Sequence, residues 1–389
     1  MMPRVYLDSN ATTPVLPEVL AAMLPYFAED FGNASSVHQP GQQARAAVDR
    51  AREAVAQLIG CRSAEVVFTS GGTEGDNLAL FGLVQPGDHV ITSAIEHSAV
   101  SKSCERLQQL GCAVTAVPVN GQGQADPDEV RRALRPATKL ISIMMANNET
   151  GVLQPVEEIG RVASEADVWF HTDAVQAAGK VPIRVERIGC DLLTLSGHKM
   201  HAPPGVGAVY VRKGTLLQPL LHGGRQERGR RAGTENVPGI VALGKAAELA
   251  GAGLQDGSVE QLRQWRDRFE DAVLQAVDAA GINGKEAPRV PNTSSIYFDF
   301  TEGEALVIAL DLKGVAASTG AACSSGALDP SHVLTAMGLS GERARASLRF
   351  SLGKHNTAAD IEQTMAVLPG VVARLRALSP WYRKAVIAQ

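Results

Sequence analysis

The stretch that decides the fold reads Val168-Trp169-Phe170-His171-Thr172-Asp173-Ala174-Val175-Gln176. Its first half is a short hydrophobic run of the kind that forms a buried strand. Its second half delivers an acid, Asp173, at the carboxyl end of that strand, where open α/β sheets bind ligands. An aspartate in this place can also be an ordinary turn cap. The segment therefore predicts a sheet strand that ends either in a capped turn or in a ligand site.

Other β-rich runs alternate with helical segments on the amino-terminal side of this strand. They are Glu65–Thr69, His89–Thr92, Ala113–Val117 and Lys139–Met144. One intervening helix has an apolar stripe from Ala44 to Ile59, which Gly60 ends. This alternation predicts an α/β fold in which most strands are parallel and covered on both faces.

The pattern changes near Gly251, where a Gly-rich stretch precedes a long polar helix from about Ser258 to Ala280. The run Ser294–Phe300 then reads as the first strand of another unit. A chain of 389 residues also exceeds the length at which single cores usually stop growing. We therefore predict a large domain at residues 14–255 and a smaller α+β domain formed by residues 1–13 and 256–389.

Charge and composition limit the classes of molecule that this chain is expected to bind. The formal net charge of −4 gives no global positive field for nucleic acid or anionic membranes, so a small solute is the expected ligand. No apolar run reaches the ~20 residues of a membrane span, and the amino-terminal segment lacks the pattern of a signal peptide, so a cytoplasmic location is expected. The five scattered cysteines contain no C-x-x-C pair, so no metal site is predicted.

A glycine-rich turn follows the strand at residues 65–69 and opens a helix; it reads Thr69-Ser70-Gly71-Gly72-Thr73-Glu74-Gly75-Asp76-Asn77. Glycines let the backbone approach an oxyanion, and the free N–H groups and dipole of a helix start favour phosphate. The turn matches neither the dinucleotide fingerprint nor the Walker A motif, and many such turns bind nothing. It predicts a phosphate site only in combination with other groups.

A third strand end carries a lysine, in Asp191-Leu192-Leu193-Thr194-Leu195-Ser196-Gly197-His198-Lys199. A lysine there is most often a solvated surface residue. Burial beside a ligand would instead lower its pKa and favour the neutral amine that forms a Schiff base with an aldehyde. The acid at Asp173 would then suit a protonated pyridine nitrogen, a contact worth roughly 4 kcal/mol at an effective dielectric of ~20.

Together these segments resemble the class V, fold-type I pyridoxal-phosphate enzymes, and within them the group I NifS/IscS-like cysteine desulfurases. The resemblance extends from Tyr6 to Arg376. It implies a large domain with a mostly parallel seven-stranded sheet. The remaining matching segments are Ala11-Thr12-Thr13-Pro14, Glu96-His97, Asn147-Asn148-Glu149-Thr150-Gly151, Arg231-Ala232-Gly233-Thr234 and Arg349-Phe350-Ser351-Leu352-Gly353.

The resemblance implies a role for each matched residue. Lys199 would bind the aldehyde of pyridoxal 5'-phosphate, Asp173 would pair with the ring nitrogen, and Gln176 would bind the phenolic oxygen. His97 would stack on the ring and move protons. The other residues expected to hold the cofactor are Gly72, Thr73, Asn148, Ser196, His198 and, in a homodimer, the partner subunit's Thr234. Asn148 and Arg349 would receive the substrate carboxylate, which a planar guanidinium grips through two hydrogen bonds.

Cys323 distinguishes a desulfurase from its relatives. It lies in Ser318-Thr319-Gly320-Ala321-Ala322-Cys323-Ser324-Ser325-Gly326, a run of small residues that predicts a moving loop. A generic cysteine is usually structural. The group I enzymes, however, carry their persulfide cysteine in such a segment before a stretch like Leu328-Asp329-Pro330-Ser331-His332-Val333-Leu334. The resemblance therefore implies that Cys323 takes sulfur from L-cysteine and passes it to an acceptor protein, such as an iron-sulfur scaffold.

Two alternatives remain open from the residues. Another class V enzyme, such as a selenocysteine lyase or an aminotransferase, would not need Cys323. A non-catalytic binding protein would need neither Lys199 nor Asp173, so the presence of both residues argues against that second alternative.

Overall fold

The computed structural model describes residues 4–320, 330–379 and 382. The strands are β1 (Val5–Tyr6), β2 (Val66–Thr69), β3 (His89–Ser93), β4 (Ala113–Val117), β5 (Thr138–Ser142), β6 (Trp169–Asp173), β7 (Leu192–Ser196), β8 (Gly207–Val211), β9 (Ala280–Ile282), β10 (Thr293–Phe298), β11 (Val315–Ala316), β12 (Ser318–Thr319) and β13 (Ser347–Ser351). The helices are α1 (Pro17–Met23), α2 (Pro25–Ala28), α3 (Gln39–Ile59), α4 (Gly72–Leu83), α5 (Ser98–Gln109), α6 (Pro127–Ala133), α7 (Val156–Glu165), α8 (Val185–Ile188), α9 (Val237–Gly253), α10 (Ser258–Ala276), α11 (Gly303–Asp311), α12 (His332–Ala336), α13 (Gly341–Arg345) and α14 (Ala358–Leu378).

The central sheet has seven strands in the order β2-β8-β7-β6-β5-β3-β4. All neighbours in it are parallel except β8, which runs antiparallel to both β2 and β7. Strands β6 and β7 are adjacent, and Asp173 pairs with Thr194 near their carboxyl ends. The predicted α/β fold with a mostly parallel seven-stranded sheet is confirmed.

Helices cover both faces of this sheet, as a parallel sheet requires. On one face α3 packs against α9, and an added Cβ at Gly244 would lie 2.5 Å from Cα of Ala51, so glycine permits this close approach. Helix α3 ends where Gly60 adopts a left-handed φ of 71°, as its sequence predicts. On the other face α4 and α5 bury Leu78 and Leu107 in a separate apolar cluster.

A second, antiparallel sheet has the order β12-β13-β10-β9. Beneath it lies a second hydrophobic cluster, in which Phe269, Phe298 and Phe350 are fully buried. The amino-terminal strand β1 pairs in parallel with β11, so Val5 lies opposite Val315 and far from its sequence neighbours. The domain limits at residues 13/14 and 255/256 stay a prediction.

The long polar helix is shorter than its composition indicated. It ends at Ala276 rather than near Ala280, because Ala279 adopts a positive φ of 47° and Ala280 already pairs with Phe298 in the second sheet. Tertiary strand pairing therefore overrides the local helical preference at this end.

Among the described residues, no single helix combines the length and apolar character needed to cross a membrane. Helices α9 and α10 reach that length and apolar character only when taken together, and the pair is bent by 71°.

Candidate active site

The phosphate turn and the lysine strand meet at one glycine of β8. Gly207 pairs with Thr69 on one side and with Ser196 on the other. An added Cβ at this position would lie 2.6 Å from the carbonyl oxygen of Leu195 and 2.7 Å from Cα of Gly71. Because Gly207 has no side chain, the turn before α4 can lie directly beside Ser196.

The turn itself exposes the start of α4. Gly71 has a φ of 153°, and an added Cβ at Gly72 would lie 2.9 Å from Cγ2 of Val175. Thr73 is exposed in the first turn of this twelve-residue helix. Free backbone N–H groups at a helix start, a nearby Ser196 hydroxyl and the Thr73 hydroxyl form a set of donors suited to a phosphate group.

Lys199 lies in a short 3-10 turn that follows β7 directly. Its Nζ atom donates to the backbone carbonyl oxygens of Asn10 and Ala11, at 2.5 and 2.7 Å. Burial first, and then the charge of Lys199, lower the pKa of His198 to about 4, so the His198 imidazole is neutral at pH 7. His198 also contacts the Thr12 hydroxyl through Nδ1, at 3.1 Å.

Asp173 ends β6 as a carboxylate that is only 6% exposed. Its Oδ1 accepts a hydrogen bond of 2.8 Å from the backbone N–H of Val175. Burial raises the pKa of Asp173, whereas that hydrogen bond and the charges of His97 and Lys199 act in the lowering direction. The charged form of a buried carboxylate is stabilised by a cation in contact with it. Asp173 therefore suits a protonated ring nitrogen.

His97 caps the start of α5. Its Nδ1 accepts a hydrogen bond of 3.1 Å from the backbone N–H of Ala99, which leaves the proton of the neutral ring on Nε2. Burial lowers the pKa of His97, and the positive charge of Lys199 acts in the same direction, while Asp173 opposes them. Each of the three side chains thus lies within electrostatic reach of the other two.

Gln176 belongs to a buried polar network that the sequence did not reveal. Its Nε2 donates to the carbonyl oxygen of Asn10 at 3.0 Å, and its Oε1 accepts from Nζ of Lys180 at 2.8 Å. Burial, followed by the charges of Lys199 and Arg349, lowers the pKa of Lys180 to about 7. The only sequence feature that could have indicated a role for Asn10 is its position directly before the motif at residues 11–14.

Arg349 lies on β13 and is 3% exposed. Its Nη1 donates to the carbonyl oxygen of Asn148 at 3.0 Å, and its Nη2 to Oδ1 of Asp8 at 2.7 Å. The third donor, Nε, is buried without a hydrogen-bond partner among the described residues. Such an unpaired donor costs free energy until a further acceptor arrives, so the guanidinium fits a carboxylate ligand.

One predicted residue that the structure describes, Thr234, is not brought into this cluster. Thr234 is exposed on the segment before α9, and within the described chain no hydrogen bond joins it to the other predicted cofactor residues. Arg231 of the same segment forms an ion pair of 2.8 Å with Glu74 of α4. Cys323 lies outside the described residues.

Buried acids behind Asp173 form another feature that sequence reasoning missed. Asp76 is 1% exposed and lies 3.5 Å from Nε2 of His171. Burial raises the pKa of Asp76, and repulsion from Asp173 raises it further. Burial also raises the pKa of Glu96 to about 8. Asp76 lies inside the phosphate-turn motif, yet nothing in that motif indicates that its side chain points into the core.

The donors at the α4 start, the buried Asp173 and the Lys199 amine match the phosphate, ring nitrogen and aldehyde of pyridoxal 5'-phosphate. The fold and these side chains define a pyridoxal-phosphate enzyme of fold type I. The Aminotransferase class-V family matches residues 5–364, and the chain belongs to that family.

The chain is also similar to individual curated proteins and to individual solved structures. The chain is 47% identical to the cysteine desulfurase IscS of Dictyoglomus turgidum, over 98% of both chains. A solved NifS-like protein is 36% identical, with a TM-score of 0.89 over 96% of this chain and all of the other. SspA, solved in complex with cysteine, is 37% identical, with a TM-score of 0.78 over 91% of this chain and all of the other.

Proposed function

We propose that this protein is a cysteine desulfurase, which converts L-cysteine to L-alanine and leaves the sulfur atom on Cys323 as a persulfide. The observation that carries this function is the convergence of Lys199, Asp173 and His97, each of which influences the pKa of another. Family membership and close likeness to cysteine desulfurases along nearly the whole chain support the same conclusion.

Substrate binding begins with the carboxylate of L-cysteine. Arg349 offers it a guanidinium whose Nε has no other partner among the described residues. Asp8 and the Asn148 carbonyl oxygen hold the other two nitrogens, so the planar group is oriented before the substrate arrives. Preorganised charge of this kind lowers the entropy cost of binding.

Pyridoxal phosphate, when bound, supplies an aldehyde that takes the substrate amine and a ring that withdraws electrons from the substrate carbon. Asp173 stabilises the positive charge of the ring nitrogen. The neutral amine of Lys199 takes the α-proton, whereas His97, whose neutral ring carries its proton on Nε2, can act only as a proton donor. Gln176 is held in a fixed orientation by Asn10 and Lys180, and it would bind the phenolic oxygen of the cofactor.

Sulfur leaves the substrate by attack of the Cys323 thiolate on the substrate Sγ atom. The new S–S bond forms as the Cβ–Sγ bond breaks, and the electron pair of that bond remains on Cβ. Cβ takes up the proton that the Cys323 thiol has lost. The products are alanine and a Cys323 persulfide, so the step needs no external oxidant or reductant.

The decisive experiment replaces Cys323 with serine. We expect Cys323→Ser to keep the visible absorption of the bound cofactor and to form no persulfide with L-cysteine, as mapped by mass spectrometry. Cys104→Ser is a suitable control because Cys104 is buried on α5, 3% exposed. Undiminished sulfur transfer by Cys323→Ser would instead favour another class V activity.

We further propose that two copies of this chain form a homodimer. Exposed large apolar side chains occur near the amino terminus, where Phe27 and Phe31 are 63% and 65% exposed, and in the segment after β8, where Leu216 is 81% exposed. Burial of such side chains favours association. The exposed Thr234 would then be available to the cofactor site of the other copy. Sedimentation equilibrium tests this proposal, and a monomer at micromolar concentration would contradict it.

The persulfide is proposed to pass to a thiol of an acceptor protein, such as an iron-sulfur scaffold, in the cytoplasm. The name IscS of similar proteins and the free state of the described cysteines support this. Incubation of the sulfur-loaded enzyme with candidate scaffolds, followed by mass spectrometry of their cysteines, tests the transfer.

A further inference from the structure

Glu149 is a buried carboxylate that the proposed mechanism does not use. It is 4% exposed and follows Asn148, whose carbonyl oxygen binds Arg349. The side chain of Asn147 fixes the turn, because its Oδ1 accepts from the backbone N–H groups of Glu149 and Thr150 at 2.9 and 3.0 Å. The Glu149 carboxylate is therefore held at a defined place beside the predicted substrate-binding residues.

The carboxylate contacts the chain on both sides of residues 321–329. On the amino-terminal side, an added Cβ at Gly320 would lie 2.4 Å from Oε2 of Glu149, so the backbone there packs against this oxygen. On the carboxyl-terminal side, the hydroxyl of Ser331 donates to the same oxygen at 2.5 Å. A single oxygen atom thus meets two positions that are eleven residues apart in the chain.

The same two positions are linked to the active site. Strand β12 leads into Gly320, and its Ser318 lies opposite Arg349 on β13. After Ser331, Nε2 of His332 contacts the carbonyl oxygen of Glu96 at 3.1 Å, directly before His97 in the chain. Burial raises the pKa of Glu149 overall, whereas the Ser331 hydrogen bond and the charges of His332 and Arg349 act to lower it.

We propose that Glu149 is a positioning residue, which holds residues 320 and 331 in fixed relation to Arg349 and so governs the rate of sulfur transfer to Cys323. This inference rests on the proposed desulfurase function. In this role Glu149 acts through Gly320 and Ser331 and takes no part in the chemistry itself. Its loss therefore affects sulfur transfer to Cys323 more than the binding of L-cysteine.

The test compares Glu149→Gln, Ser331→Ala and the double variant in the cofactor-loaded enzyme. Three quantities are measured: the L-cysteine concentration that half-saturates the change in cofactor absorption, the single-turnover rate of Cys323 persulfide formation, and the rate of Cys323 alkylation by iodoacetamide. We expect the first to change less than about twofold and the second to fall about tenfold, because Ser331→Ala removes the hydrogen bond to Glu149 and Glu149→Gln leaves that bond without a charged acceptor. The alkylation rate changes in both single variants, and the double variant is no slower in persulfide formation than the slower single variant.

Two matched controls separate positioning from general damage. Ser340→Ala removes the cap of α13, a five-residue helix like the one that Ser331 caps, without a contact to Glu149. Glu270→Gln removes a buried carboxylate, 2% exposed, from its ion pair with Arg289. Both controls are expected to lower Tm and to keep the wild-type rate of persulfide formation.

The proposal is overturned if Glu149→Gln and Ser331→Ala form persulfide at the wild-type rate. It is also overturned if binding and transfer fall in parallel, or if the effects of the two substitutions add. A wild-type protein that forms no persulfide would refute the proposed function instead. The alkylation rates would still test Glu149, since they do not depend on desulfurase activity.

Discussion

The Nζ atom of Lys199 lies 2.5 Å from the carbonyl oxygen of Asn10, although 189 residues separate the two in the chain. The amine at the end of β7 is thus bound by the amino-terminal segment. That segment also donates to Ser351 Oγ and to the Asn148 carbonyl oxygen, through the backbone and side chain of Asn10. One asparagine therefore connects the lysine to the strand that carries Arg349.

Replacing Lys199 with alanine is expected to abolish the visible absorption of covalently bound cofactor. Alanine production from L-cysteine should fall by about 10³-fold or more, because the covalent link and a proton carrier are lost together. Absorption spectroscopy and an alanine assay check this. Lys354→Ala is the control, since this exposed lysine carries the same amine and donates it to the carbonyl oxygen of Leu249. Retention of the cofactor band by Lys199→Ala would contradict the assignment.

Asp173→Asn should lower kcat by about a thousandfold. An amide cannot supply the attraction of about 4 kcal/mol that a carboxylate exerts on a ring cation at an effective dielectric of ~20. Asp191→Asn is a matched control, because Asp191 is also buried and accepts a backbone N–H, that of Phe170, at 2.9 Å. We expect this control to lose stability but to keep kcat within about threefold. Equal kcat values for the two variants would show that Asp173 has no electrostatic role.

Arg349→Lys should raise the half-saturating concentration of L-cysteine by about 10- to 100-fold, the equivalent of one or two charge-assisted hydrogen bonds. Lysine keeps the charge but cannot bind Asp8, the Asn148 carbonyl oxygen and a carboxylate at the same time. Titration of the cofactor absorption with L-cysteine measures the effect. In the control variant Arg289→Lys, which weakens the ion pair with Glu270, the concentration should stay unchanged.

Glu96 makes stability depend on pH. Burial raises its pKa to about 8 in the folded protein, above the value of about 4.3 for an unfolded chain, so folding favours the protonated acid. This contribution to the free energy of unfolding is complete below about pH 4 and is lost as pH rises through about 8, by at most about 1.4 kcal/mol per pH unit.

Glu96→Gln removes that ionisation while keeping a similar shape. We expect the Tm of the variant minus the Tm of the wild type to increase steadily from pH 5 to pH 8, because only the wild type loses stability as this acid ionises. Thermal unfolding across that pH range measures the difference. The hydrogen bond from the Ser93 hydroxyl, 2.5 Å long, can still be made to the amide oxygen. A difference in Tm that does not vary with pH would contradict the raised pKa.

Local patterns predicted the secondary structure of the large sheet well. The hydrophobic run at residues 168–172 became β6, and the stripe that Gly60 ends became α3. The limits of α10 were not predictable, because Ala280 is a strand residue only through its pairing with Phe298. Strand pairing between distant segments leaves no trace in the local periodicity.

By itself, the sequence determined the fold class, the family resemblance and the acid, amine and phosphate turn at three strand ends. These follow from short-range patterns, since a strand end is defined by its own residues and parallel strands share one edge. Only the tertiary structure decided that Asn10 and Lys180 complete the site and that one oxygen of Glu149 meets both Gly320 and Ser331. Those contacts depend on burial and on pairs of residues far apart in the chain, which packing alone brings together.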